Sequence, residues 1–175
     1  MNGDNFSGRL AVHVQQYNRL LPPNDADWAD KLDAAILITH QPPEWLSPAN
    51  RMNVFNPLIA PTGRFALHLC GHLHIASAQV QGRGGSEVRR VALGRSLLAL
   101  EPTLDGLERL HGYEAFRIKI DKGSPDGLIR MWPRSSTPKQ AEDWGFGQDA
   151  SFVLERDGGT PDLPANRFRR ANWRA

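Results

Sequence analysis

Three histidines, His40, His72 and His74, are the residues of this chain whose type and spacing suit a divalent cation. Neutral imidazole is a borderline ligand for zinc, iron, manganese and nickel, and three imidazoles are enough to hold one ion. His72 and His74 are two apart, so an extended backbone projects both from one side and turns Leu73 away, while Gly71 removes a side chain beside them. His40 completes the cluster if its segment lies next to theirs. The remaining histidines are read as structural. His13 and His111 stand alone, and His68 sits inside an apolar run, where a buried and hydrogen-bonded core role is expected.

The elements that must position these side chains can be read on either side of them. The apolar run at 34 to 39 reads as a buried strand, and it ends at His40 because Gln41-Pro42-Pro43 forbids further ladder pairing. A second apolar run at 65 to 70 ends in Gly71-His72-Leu73-His74. Residues 44 to 61 between them read as a helix with proline-broken ends. Strand, helix and strand set two strands side by side with histidines where both end, the edge at which open α/β sheets bind ligands. A surface helix is expected over 9 to 21, stopped by Pro22 and Pro23. After Ile75 the texture changes to short β segments at 77 to 81, 88 to 93, 116 to 120 and 128 to 132, which predict antiparallel strands. Gly84-Gly85 and Ser124-Pro125-Asp126-Gly127 supply turn chemistry between them. The segments 135 to 139 and 157 to 164 are rich in turn-forming residues.

The 175 residues suffice for one compact domain, with a hydrophobic share of 40% and a charged share of 23% that match a soluble globular protein. A formal net charge of +2 gives no strong field toward nucleic acid or acidic lipid. The positive charge is local, at Arg167, Arg169, Arg170 and Arg174 among Phe168 and Trp173, and it is read as a solvated tail. Nucleic-acid contact, which such a tail would also allow, has no second feature in its favour. Cys70 is the only cysteine, so no internal disulfide can form and cytoplasm is the simplest location. No apolar run approaches the ~18 residues of a membrane span, and no secretory pattern opens the chain.

A bare His-x-His also occurs in cupins and in mononuclear zinc hydrolases. The glutamate or aspartate that the cupin and metallo-β-lactamase patterns require is absent from residues 75 to 79. The joint pattern Ile36-Leu37-Ile38-Thr39-His40-Gln41-Pro42-Pro43 and Leu67-His68-Leu69-Cys70-Gly71-His72-Leu73-His74 resembles the calcineurin-like metallophosphoesterases, in their last two metal-binding motifs. The resemblance is best over 9 to 104. It implies an α/β fold, a partial metallophosphoesterase-type layered sheet in which a β-sandwich is flanked by helices, with an antiparallel C-terminal part. Residues 1–134 would be the C-terminal half of such a domain and 135–175 a loosely ordered extension with a basic tail.

The resemblance further implies that His40 and His72 bind one metal and His74 the other, with Gly71 permitting close approach. The ions would be manganese, iron or zinc, the reaction hydrolysis of a phosphate monoester or diester by metal-activated water. The family's Asp-x-His, Gly-Asp-x-x-Asp and Gly-Asn-His-Asp/Glu motifs do not occur in this chain. The dinuclear set is therefore incomplete, and the chain is expected to be weakly active or inactive alone, either shortened at its start or completed by a chain that supplies the missing half. Two other functions are compatible with the same histidines: a non-catalytic interaction or regulatory module with one bound metal, and a mononuclear zinc hydrolase with an open water position.

Overall fold

The computed structural model describes residues 6–23, 28, 32–71, 76–82, 88–97, 100–103, 106–109, 111–120, 126–138 and 144–166. The first helix, α1, is confined to Val14–Asn18 and is shorter than the 9 to 21 expected. His13 caps it, Nδ1 accepting from Gln15 N–H at 3.3 Å while the Gln16 side chain accepts from His13 N–H at 2.7 Å. Ahead of the cap, Leu10 N–H donates to Trp45 O at 3.0 Å and Leu10 O accepts from Ser47 N–H at 2.8 Å. The chain before His13 thus uses backbone groups for pairing that a longer helix would need.

The run at 34 to 39 gives β1, Ile36–Thr39, and the run at 65 to 70 gives β2, Leu67–Cys70. The single helix expected between them is instead a 3₁₀ turn at Pro43–Trp45, a short α2 at Pro48–Asn50 capped by Ser47, and a π-wound continuation at Arg51–Ile59. Ala60 N–H closes the last turn on Phe55 O, five residues back, at 2.7 Å. Pro57 lies inside that stretch. Its missing N–H and bulky ring disfavour a regular α turn, which gives the wider winding a physical cause.

This crossover brings β1 and β2 together in parallel, Ile36 opposite Leu67 and Thr39 opposite Cys70. β3, Ser77–Gln81, and β4, Arg89–Leu93, complete a mixed sheet of order β1-β2-β4-β3, with β4 parallel to β2 and antiparallel to β3. β5, Leu100–Thr103, and β6, Gly106–Arg109, pair with each other. The C-terminal part is antiparallel, as expected. β7, Gly112–Ile120, lies along one edge of the long β8, Asp126–Pro138. β9, Trp144–Gln148, and β10, Leu163–Asn166, divide the other edge of β8 between them.

Strand alternation sorts the core into two layers. Leu67 and Ala92 of the mixed sheet pack on Ile129 and Met131 of β8, with Leu69, Phe116, Ile118 and Leu163 around them. On the opposite face of the mixed sheet, Leu37 and Phe65 pack with Tyr17, Phe55 and Ile59 of the helical side. The fold is therefore α/β, with, among the described residues, one mixed sheet, one four-stranded antiparallel sheet, the separate β5–β6 pair and few helices. The boundary expected after residue 134 falls inside β8, and residues 144–166 contribute two strands to the antiparallel sheet where a loosely ordered extension was expected. The basic tail at 167–175 lies outside the described residues. Among the described residues no helix is long and apolar enough to cross a membrane.

Candidate metal centre

Parallel pairing continues one step past the strands, where Gly71 N–H donates to His40 O at 3.0 Å. The register thus places exposed His40 beside the glycine that opens Gly71-His72-Leu73-His74. His72 and His74 lie outside the described residues, so of the three expected ligands the structure places His40. Among the described residues there is no group of three or more His, Cys, Asp or Glu that would hold a metal ion.

Gly71 is not among the glycines with positive φ. A Cβ built on it would meet His40 O at 3.7 Å and His40 Nδ1 at 3.8 Å, ordinary contact distances. Neither backbone strain nor a clash at Cβ therefore demands glycine here. What the missing side chain does is keep Gly71 out of the space next to His40 Nδ1.

Behind His40 the strand ends are tied together by side chains that face the helical layer. The Thr39 hydroxyl donates to Gln41 O at 2.8 Å and lies 2.8 Å from His68 Nε2, while Cys70 Sγ lies 3.3 Å from the same nitrogen. His68 is only 1% exposed, with its ring 5.7 Å from that of Phe55. Burial, reinforced by the Arg89 charge, lowers its pKa to about 4, so it is neutral at physiological pH. His68 is buried as expected but only half satisfied, because Nδ1 has no hydrogen-bond partner. Burial also raises the Cys70 thiol to about 11, which makes it a poor nucleophile. Downstream, Pro42 and Pro43 are buried and fix the chain leaving the turn.

A second polar cluster was not foreseen. Arg95, just past β4, donates from Nε to Asp149 Oδ2 at 2.7 Å, and Asp149 Oδ1 accepts from Ser151 N and Oγ at 3.0 and 2.6 Å. Burial opposes ionisation of Asp149, yet the Arg95 and Ser151 hydrogen bonds prevail and hold its carboxyl below the usual range. Glu114 has the opposite fate. Burial, with the Asp149 charge added, lifts it to about 7 against the weaker pull of Arg95, and its Oε1 is buried without a hydrogen bond. Nothing in the local sequence announces this cluster, since Arg95, Glu114 and Asp149 come from three separate segments.

Around β1 the apolar surface is incompletely covered. A cleft of about 420 Å³, lined in part by Leu10, Val12, Tyr17, Leu37 and Pro42, adjoins the His40 turn on the helical side. On the other face, Ile36 and Ile38 are 45% and 74% exposed. Among the described residues no strand pairs with the outer edge of β1. No protein-family model, curated protein or solved structure matches this chain.

Proposed function

We propose that this chain is the C-terminal part of a metal-dependent phosphoesterase of the calcineurin-like kind, in which His40, His72 and His74 bind divalent metal. The observation that carries the proposal is the parallel pairing of β1 and β2, through which Gly71 N–H meets His40 O at 3.0 Å, so that His40 stands beside the glycine from which the sequence runs on to His72 and His74. A mixed sheet with helices packed on one face and an antiparallel sheet on the other is compatible with such a layered fold and supports this reading. His40 lies at the C-terminal edge of parallel strands, where ligands of α/β sheets bind. A divalent ion held there would activate water and stabilise charge developing on a phosphoryl oxygen. Of the residues of this chain, His40 would be held toward the ion by the β1–β2 register, with Thr39, His68 and Cys70 behind it. Manganese, iron and zinc all suit the donor set.

A role in a larger assembly, with no catalysis by this chain alone, is favoured by a different observation: among the described residues no strand pairs with the outer edge of β1, which has exposed isoleucines on one face and an apolar cleft on the other. In that case a partner chain would extend the sheet and bring the carboxylates this chain lacks. Elemental analysis of the purified chain and manganese-supplemented hydrolysis of an aryl phosphodiester distinguish the two. Metal binding that is lost in His40→Ala and His72→Ala, with histidine-dependent turnover, is expected of an autonomous phosphoesterase. Histidine-dependent metal without turnover would assign catalysis to the assembly, and metal content unchanged by both substitutions would refute the site.

A further inference from the structure

We infer that Thr39 and His68 are positioning residues for His40, joined in a hydrogen-bond relay that runs from the core into the turn after β1. The inference rests on the metal-binding role proposed for His40.

The relay follows from proton counting. The Thr39 hydroxyl has one proton, and Gln41 O at 2.8 Å is an acceptor only. Cys70 Sγ, at 3.6 Å from Thr39 Oγ1, is the poorer destination for that proton. With the proton committed to Gln41, the oxygen can only accept from His68 Nε2, also at 2.8 Å. His68 must then be the Nε2–H tautomer, a state assigned from its bonding network. The other tautomer would bury an N–H at Nδ1 with no acceptor, whereas this one leaves Nδ1 as a bare lone pair. His68 itself is fixed by its 1% exposure and its tilted ring contact with Phe55.

The consequence falls on the residue between Thr39 and Gln41. His40 has its carbonyl pinned by Gly71 N–H, the carbonyl of Gln41 pinned by Thr39, and buried Pro42 following. A backbone held on both sides leaves the imidazole little beyond its own two side-chain torsions to settle on binding. Outer groups that orient a metal ligand commonly matter about ten- to a hundred-fold in affinity.

Zinc affinity of the full chain, measured by competition with a chromophoric chelator, tests this at a temperature where circular dichroism shows every variant folded. Thr39→Val keeps the shape and removes the hydroxyl, and is expected to weaken zinc about ten-fold. Thr39→Ser, which restores the hydroxyl, and His68→Gln, which restores a donor near Nε2, are expected to bind within about three-fold of the parent. His40→Ala checks the underlying site. If His40→Ala binds zinc as the parent does, the metal site itself falls and the relay with it. If His40→Ala weakens zinc and Thr39→Val does not, the positioning role is overturned while the site stands. Should Thr39→Val fail to fold, the ¹⁵N imidazole spectrum of the unmodified chain decides: His68 as the Nε2–H tautomer supports the relay, and the Nδ1–H tautomer overturns it.

Discussion

Glu114 and Asp149 show how one cation divides two neighbouring carboxylates. Asp149 takes the Arg95 Nε bond and both Ser151 donors, and stays ionised. Glu114 is left to burial and to the Asp149 charge, and rises from its ordinary 4.5 to about 7. A carboxyl with a raised folded pKa binds its proton more tightly in the folded state than in the unfolded one. Its contribution to stability is therefore complete below pH 4.5, declines as pH climbs toward 7, and is gone above that. Glu114→Gln removes the titration while keeping the shape. It is expected to flatten stability between pH 5 and 7 and to raise it at pH 8 by about 1–2 kcal/mol, after allowance for solvent screening. Urea denaturation at several pH values measures this, and equal pH slopes for parent and variant would show that Glu114 ionises normally. The cluster could not be read beforehand, because a pKa is set by whichever charges the fold assembles around a group. The place of His40 at a strand end was legible, by contrast, since an apolar run stopped by Pro42 and Pro43 marks it. The tautomer of His68 depends on Thr39 and Gln41 across 2.8 Å contacts and was not.

Among the elements, β1 and β2 were legible as apolar runs that stop at Pro42-Pro43 and at Gly71, although only β2 is enclosed and the burial expected of β1 is not met, with Ile36 and Ile38 exposed. β9 and β10 were hidden. Each is four or five residues long and carries glycine or proline, and each is specified by pairing with β8. The π-wound stretch was hidden for the same kind of reason, as apolar spacing suggests a helix without fixing its pitch. Where the antiparallel sheet meets the mixed one, the decisive residue is Gly112 at the start of β7. A Cβ there would come within 2.5 Å of Arg95 Cδ and 2.6 Å of Arg134 O, and the second of these is backbone that cannot swing away. Arg95 has little freedom either, being bonded to Asp149 at 2.7 Å. Gly112→Ala is therefore expected to lower stability by about 2–3 kcal/mol, visible as a lower urea midpoint with an unchanged m-value. A loss below about 0.5 kcal/mol would mean that the β7 edge shifts more freely than this packing allows.

At the scale of the molecule, the outer edge of β1 decides what the protein is able to be. Parallel strands are ordinarily covered on both faces and paired on both edges. β1 has Ile36 and Ile38 exposed on one face and an apolar cleft on the other, and its Ile-Leu-Ile-Thr sequence has none of the charge or proline that protects open edges. A small apolar ligand would fill the cleft and leave the isoleucines wet. A strand added to the sheet would satisfy the backbone edge and bring cover to both faces at once. With no such strand bound, copies of the chain are expected to associate through this edge, so sedimentation velocity should show species that grow with concentration. Ile38 is 74% exposed, so replacing it costs little packing. Ile38→Lys places a charge that an added strand would have to bury, and is expected to shift the population toward monomer while leaving the melting temperature within about 2 °C. A parent chain that stays monomeric at every concentration would show that the edge is already protected. A Lys variant that associates as strongly as the parent would move the contact elsewhere on the surface. Loss of association with stability intact would locate the contact between copies on β1, beside His40.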